Sequence, residues 1–118
     1  MKEYLMSIAM YSLKYAEAFK YNEDDVSNAL GYVFRVYQED VKYYSEQELS
    51  LLVCFLSQVK EEEYKKYIDI YTKDNLAFIM NNSKDMKELL KNGKKLVKLY
   101  KENKGKVTKK DLENMIKE

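Results

Sequence analysis

A chain of 118 residues, 46% hydrophobic and 35% charged, has the length for one packed core and too many apolar residues for a disordered tail. Its formal charge of +1 hides a division, with five Lys and Arg against nine Asp and Glu in residues 1–59 and sixteen against eleven in residues 60–118. No apolar run approaches the ~20 residues of a membrane-spanning helix, and the one cysteine, Cys54, excludes an internal disulfide. A single soluble domain spanning residues 1–118, in a reducing, cytoplasmic compartment, is the expectation.

Taken in order, the periodicity predicts a first helix over about residues 2–20. Tyr4, Ile8, Tyr11, Tyr15 and Phe19 form its apolar stripe, widened by Leu5, Ala9 and Ala16, with Lys2, Lys14, Glu17 and Lys20 on the wet side. Residues 4–13 are too interrupted by Tyr4, Ser7, Tyr11 and Ser12 for a secretory signal, and no small-residue cleavage site follows. Asn22 or Asp24 caps a second helix over about 25–43, whose buried face is Val26, Ala29, Leu30, Val33, Tyr37, Val41 and Tyr44. Gly31 inside it costs about 1 kcal/mol relative to Ala, which either a close helix crossing or mere drift explains.

The organising element is the third helix, about 46–59. Leu49, Leu52, Val53, Leu56 and Val59 share one side while Leu51, Cys54 and Phe55 fill much of the rest, so it must be covered nearly all round. Ser45 with Glu48 spells a capping box at its start. Its phase continues through Tyr64, Tyr67, Ile68 and Tyr71, which leaves open one rod to residue 73 or a break near 60–63. Asp74 and Asn75 read as a turn or cap before the patch Leu76 to Met80, and Asn82 or Ser83 as the cap of a helix over about 84–102.

That helix directs Met86, Leu89, Leu90, Gly93, Leu96, Val97 and Tyr100 to the core, and Lys87, Lys91, Lys94, Lys98 and Lys101 outward, joined by Lys95. Between residues 84 and 110 eleven lysines face only Asp85, Glu88 and Glu102. Gly105 closes the helix, and Thr108 with Asp111 caps a short last one carrying Leu112, Met115 and Ile116. The expected fold is all-α: a compact bundle of five or six helices around the central apolar helix, ending in a capped helical hairpin.

Catalytic and metal constellations lack their parts. With no histidine in the chain, Ser-His-Asp and Cys-His arrangements and zinc sites are excluded, and Cys54, in the most apolar helix, is an inert protonated thiol. The acidic groups Asp24 and Asp25, Glu39 and Asp40, and Glu61 to Glu63 are runs of neighbours that point in different directions, the pattern of a solvated face. A faint EF-hand outline over Tyr100 to Leu112 carries lysine at a ligand position and reads as an ordinary hairpin. No cofactor is expected.

The sequence therefore points to a non-enzymatic interaction module, a small helical adaptor, accessory subunit or inhibitor docking onto a larger protein or acidic protein surface. Small proteins of phages and mobile elements share this size and composition. Lys87, Lys91, Lys94, Lys95, Lys98 and Lys101 form the leading contact face, with Tyr21, Tyr32 and Tyr43 as secondary candidates because they lie off the core stripes. The alternative is that the same lysines follow the backbone of DNA or RNA. No membrane partner is expected, and a homo-oligomer would form if an apolar stripe stays uncovered.

Overall fold

The computed structural model describes residues 2–37 and 44–117, without the side chains of Lys2 and Tyr4. The expected end of the second helix at about residue 43, the carboxylates Glu39 and Asp40 and the candidate Tyr43 lie outside the described residues. Among those described there are seven α-helices and no strand: α1 Lys2–Phe19, α2 Glu23–Val36, α3 Glu46–Leu56, α4 Tyr64–Ile70, α5 Lys73–Asn81, α6 Met86–Glu102 and α7 Lys109–Lys117. The fold is all-α, as the periodicity predicted. The backbone falls into two compact units, residues 1–68 and 69–118, divided within α4.

In the first unit α3 packs against α1 and α2. Every residue from Glu48 to Leu56 is buried, with Leu49, Leu51, Leu52 and Leu56 fully so, and each such leucine contributes roughly 1.5–3 kcal/mol by leaving water. The predicted capping box is formed: the Glu48 N–H donates to Ser45 Oγ at 3.0 Å, and the Ser45 N–H donates to Glu48 Oε1 at 2.8 Å. That reciprocal pair is what lets a carboxylate sit at a position only 7% exposed. Asn22 caps α2 by accepting from the N–H groups of Asp24 and Asp25 at 2.9 and 3.2 Å.

The long rod does not exist. α3 stops at Leu56, where Ser57 Oγ donates to the Cys54 carbonyl at 2.7 Å and the N–H groups of Gln58 and Val59 turn back onto Phe55 and Leu56. Lys60 is extended, a 3-10 turn covers Glu61–Glu63, and α4 begins at Tyr64. A serine hydroxyl competing for a helix carbonyl, followed by three successive glutamates, breaks the helix with neither glycine nor proline. The central helix is thus three residues shorter than expected, and the described residues hold seven helices where five or six were expected. Gly31 marks no close crossing, since a Cβ built on it would meet nothing within 4 Å.

In the second unit α5 packs on α6, and α6 on α7. Two helix boundaries move from their predicted places. Thr72, not Asp74 or Asn75, caps α5 by accepting from the Asn75 N–H at 3.2 Å, while the Asn75 amide donates to the Ile70 carbonyl at 2.9 Å. Asn82 and Ser83 serve the end of α5 rather than the start of α6: the Asn82 amide donates to the Phe78 carbonyl at 2.8 Å and the Ser83 hydroxyl to that of Ile79. Asp85 then caps α6, accepting from the Glu88 N–H at 2.8 Å.

Both α1 and α6 end in the same way. After α1 the Tyr21 N–H reaches the Ala16 carbonyl at 2.8 Å with Lys20 left-handed at φ 60°; after α6 the Gly105 N–H reaches the Tyr100 carbonyl at 2.8 Å with Lys104 at φ 53°. These are Schellman terminations with lysine in place of the usual glycine. Gly105 follows at φ 85°, and a Cβ there would lie 3.3 Å from the Tyr100 hydroxyl. Thr108 and Asp111 form the predicted box of α7, with bonds of 3.0 and 3.2 Å.

Candidate partner interface

α6 is fixed in rotation by bonds on both flanks of its buried side. Asn92, only 3% exposed, donates through Nδ2 to Ser83 Oγ at 2.8 Å, and the Tyr71 hydroxyl donates to the Gly93 carbonyl at 2.7 Å in a buried contact. Leu89, Gly93 and Leu96 are buried between these anchors, and Met86, Leu90, Val97 and Tyr100 are half-buried beside them. With that side held, the opposite side is determined. At about 100° per residue the six lysines of α6 fall within an arc of about 120° centred away from Leu89 and Leu96.

Lys87, Lys91, Lys94, Lys98 and Lys101 are exposed. Lys98 lies 3.9 Å from Glu102 across one turn, both side chains being largely in water, a pair that contributes about 0.3–0.5 kcal/mol and leaves the face strongly positive. Lys95 departs from the outward row. It is half-buried at the edge of the arc, where its ammonium donates to the Met115 carbonyl of α7 at 3.5 Å. Beside it a cleft of about 450 Å³ runs between the two helices, edged by Lys87 and Lys91 of α6 and Lys117 of α7, with Asp85 and Glu88 also lining it. The face can hold anionic groups by charge.

Two of the three tyrosine candidates, Tyr21 and Tyr32, make ring contacts within the chain. Tyr21 is half-buried against Phe19, ring centroids 5.4 Å apart, and burial pushes its phenol well above the ordinary value, opposed only by the Gln58 side chain. Tyr32 lies 5.0 Å from the Tyr64 ring and beneath the Arg35 guanidinium at 5.3 Å. Both rings are half-buried in these contacts.

Cys54 is fully buried, with Sγ 3.4 Å from the Ser12 carbonyl oxygen. Its thiol is pushed up to about 12 by burial, which keeps it protonated and unreactive at neutral pH. Among the described residues no group of three or more metal-ligating side chains converges, and no helix is long and apolar enough to cross a membrane.

One exposed feature escaped the periodicity argument. Met6, Met10 and Leu13 stand in water on α1, although the helix already has a packed apolar side. Their three-four spacing was the signal. It was masked because α1 is apolar in two phases at once. No known family model, curated protein or solved structure matches the chain.

Proposed function

We propose that the protein is a non-enzymatic interaction module that docks the lysine face of α6 onto an acidic surface of a larger protein. The observation that carries this reading is the exposure of Lys87, Lys91, Lys94, Lys98 and Lys101 on one side of a helix whose other side is locked by Asn92 and Tyr71. A helix of fixed rotation presents the row without reordering its backbone, and the like charges steer an acidic partner toward it. The test is quantitative capture from host extract by wild type and by the combined variant Lys91→Glu, Lys94→Glu and Lys98→Glu, read by mass spectrometry. An acidic partner retained by the first and lost by the second is expected. Equal capture by both proteins sinks the proposal.

A second reading is favoured by the geometry of the same row. Lys87 to Lys101 extends about 21 Å along the helix at 1.5 Å per residue, long enough to follow several phosphates of a nucleic-acid strand. Asn92, on the same helix, is buried and the row itself is all lysine, so such binding would rest on the backbone phosphates and be largely independent of sequence. Five phosphate contacts on duplex DNA would give a slope of log K against log salt of about −4 to −5. A flat salt profile, or unchanged affinity in the triple variant, rules this reading out.

A further inference from the structure

Among the described residues the large apolar side chains that remain exposed are Met6 at 57%, Met10 at 69%, Leu13 at 47% and Val36 at 48%. Three of the four lie on α1, on the side away from buried Ile8, Ser12 and Ala16. With Glu3 and Glu17, which are also exposed, they occupy positions 3, 6, 10, 13 and 17 of α1, and exposed Lys20 follows in the left-handed turn just past the helix end. Steps of three and four in strict alternation are the 3.5-residue period of a helix-pairing seam. The seam has an apolar centre and charged ends, and two methionines give it a soft, adaptable surface.

We infer that this seam pairs antiparallel with the same seam of a second copy of the chain. Charge selects the direction. Parallel pairing would set Glu3 against Glu3 and Glu17 against Glu17, whereas antiparallel pairing of Met10 with Leu13 of the second copy sets Glu3 against Lys20 at both ends. Met6 then lies along the aliphatic stem of Glu17 of the second copy. The seam is self-complementary, as a two-fold interface must be. Three apolar side chains from each copy fall short of the ~800 Å² per partner of a standard stable interface. The dimer is accordingly weak, with a micromolar-to-millimolar dissociation constant that makes it concentration-dependent.

Sedimentation equilibrium over a hundredfold concentration range tests this. Wild type should pass from monomer to dimer, and Met10→Glu, at a site already in water and therefore harmless to folding, should stay monomeric with an unchanged circular dichroism spectrum. Glu3→Lys and Lys20→Glu should each weaken association about three- to tenfold, as two surface ion pairs turned repulsive would, and the double variant should recover it. A spin label at Glu3→Cys, with buried Cys54 unreactive, should report a separation of about 25 Å or more in the dimer, from seventeen residues of helix rise. A monomer at every concentration, a dimer indifferent to Met10→Glu, no recovery in the double variant, or two labels in close contact would each overturn the inference.

Discussion

All nine residues from Glu48 to Leu56 of α3 are buried, whereas in the longer α6 only Leu89, Asn92, Gly93 and Leu96 are. The two helices therefore carry different kinds of information. In α3 every side chain from Glu48 onward is constrained by packing. In α6 the buried side fixes the axis and the rotation, and most of the lysine side stands in water, where single substitutions cost the fold little. Stability should be concentrated in the first helix and recognition in the second.

The strongest challenge to that division is truncation. Leu52→Ala or Leu56→Ala should lose about 2–5 kcal/mol in urea unfolding, because both side chains are fully buried and leave a cavity. Lys91→Ala should change stability by no more than about 0.5 kcal/mol. Comparable losses at the two sites would mean that α6 is held by its charges, and the contrast would fail.

Alkaline titration probes the same contrast without changing the chain. The Cys54 thiol ionises near its ordinary value of 9.0 once unfolded but only near about 12 in the folded protein. Stability from this group is thus complete below pH 9 and declines as pH rises toward 12, by a total of roughly 4 kcal/mol at 1.36 kcal/mol per unit. Burial raises Tyr15, Tyr21 and Tyr64 as well, which adds to the decline above pH 10. Melting temperature should fall steeply from pH 9 upward, and Cys54→Ala should flatten the first part of that fall. A melting temperature level to pH 11 would show that the thiol is not enclosed.

The parts of the molecule that were legible in the sequence are those where one physical effect dominates. An apolar run with a Ser-x-x-Glu start admits a single reading, and Ser45, Glu48 and the burial of α3 are as expected; Thr108 and Asp111 obey the same rule. The arc of lysines was legible because charge on a 3.6-residue period has no place in a core. Boundaries failed where two polar side chains competed for the same backbone. Asn82 and Ser83 have the chemistry of N-caps, but the orphan carbonyls of α5 lie closer to hand, and Asp85 takes the cap instead. Ser57 likewise ends α3 by bonding backward, which composition alone does not announce. The apolar seam of α1 was hidden because Met6, Met10 and Leu13 look like core until a better core stripe, Ile8 and Ala16, has claimed the packed side.

Capping offers a finer comparison. Ser45→Ala removes the Oγ that accepts from the Glu48 N–H and so breaks one half of the reciprocal pair, the backbone N–H of residue 45 remaining for the Glu48 carboxylate; because the pair is part-buried, a loss near the upper end of about 0.5–2 kcal/mol is expected. Asp85→Ala removes one exposed bond at the start of α6 and should fall near the middle of that range, about 1 kcal/mol. Equal losses would indicate that the Ser45 and Glu48 bonds do not reinforce each other.

The smallest expected effect is a gain, and it should appear in both helices that share a terminator. Lys20 and Lys104 hold left-handed backbone at φ 60° and 53°, a conformation that costs a residue with a Cβ roughly 1–2 kcal/mol. Glycine relieves that strain but adds about 0.5–1 kcal/mol of unfolded-chain freedom to be lost on folding. Lys20→Gly and Lys104→Gly should each therefore stabilise the protein by about 0.5–1 kcal/mol, seen as a higher urea midpoint at unchanged slope. Gly105→Ala should do the reverse, since it combines a positive φ with a Cβ 3.3 Å from the Tyr100 hydroxyl. If Lys20→Gly stabilises and Lys104→Gly does not, the two terminations differ in strain despite their shared bonds, and the lysine at 104 is held left-handed by something other than the demand of the helix end.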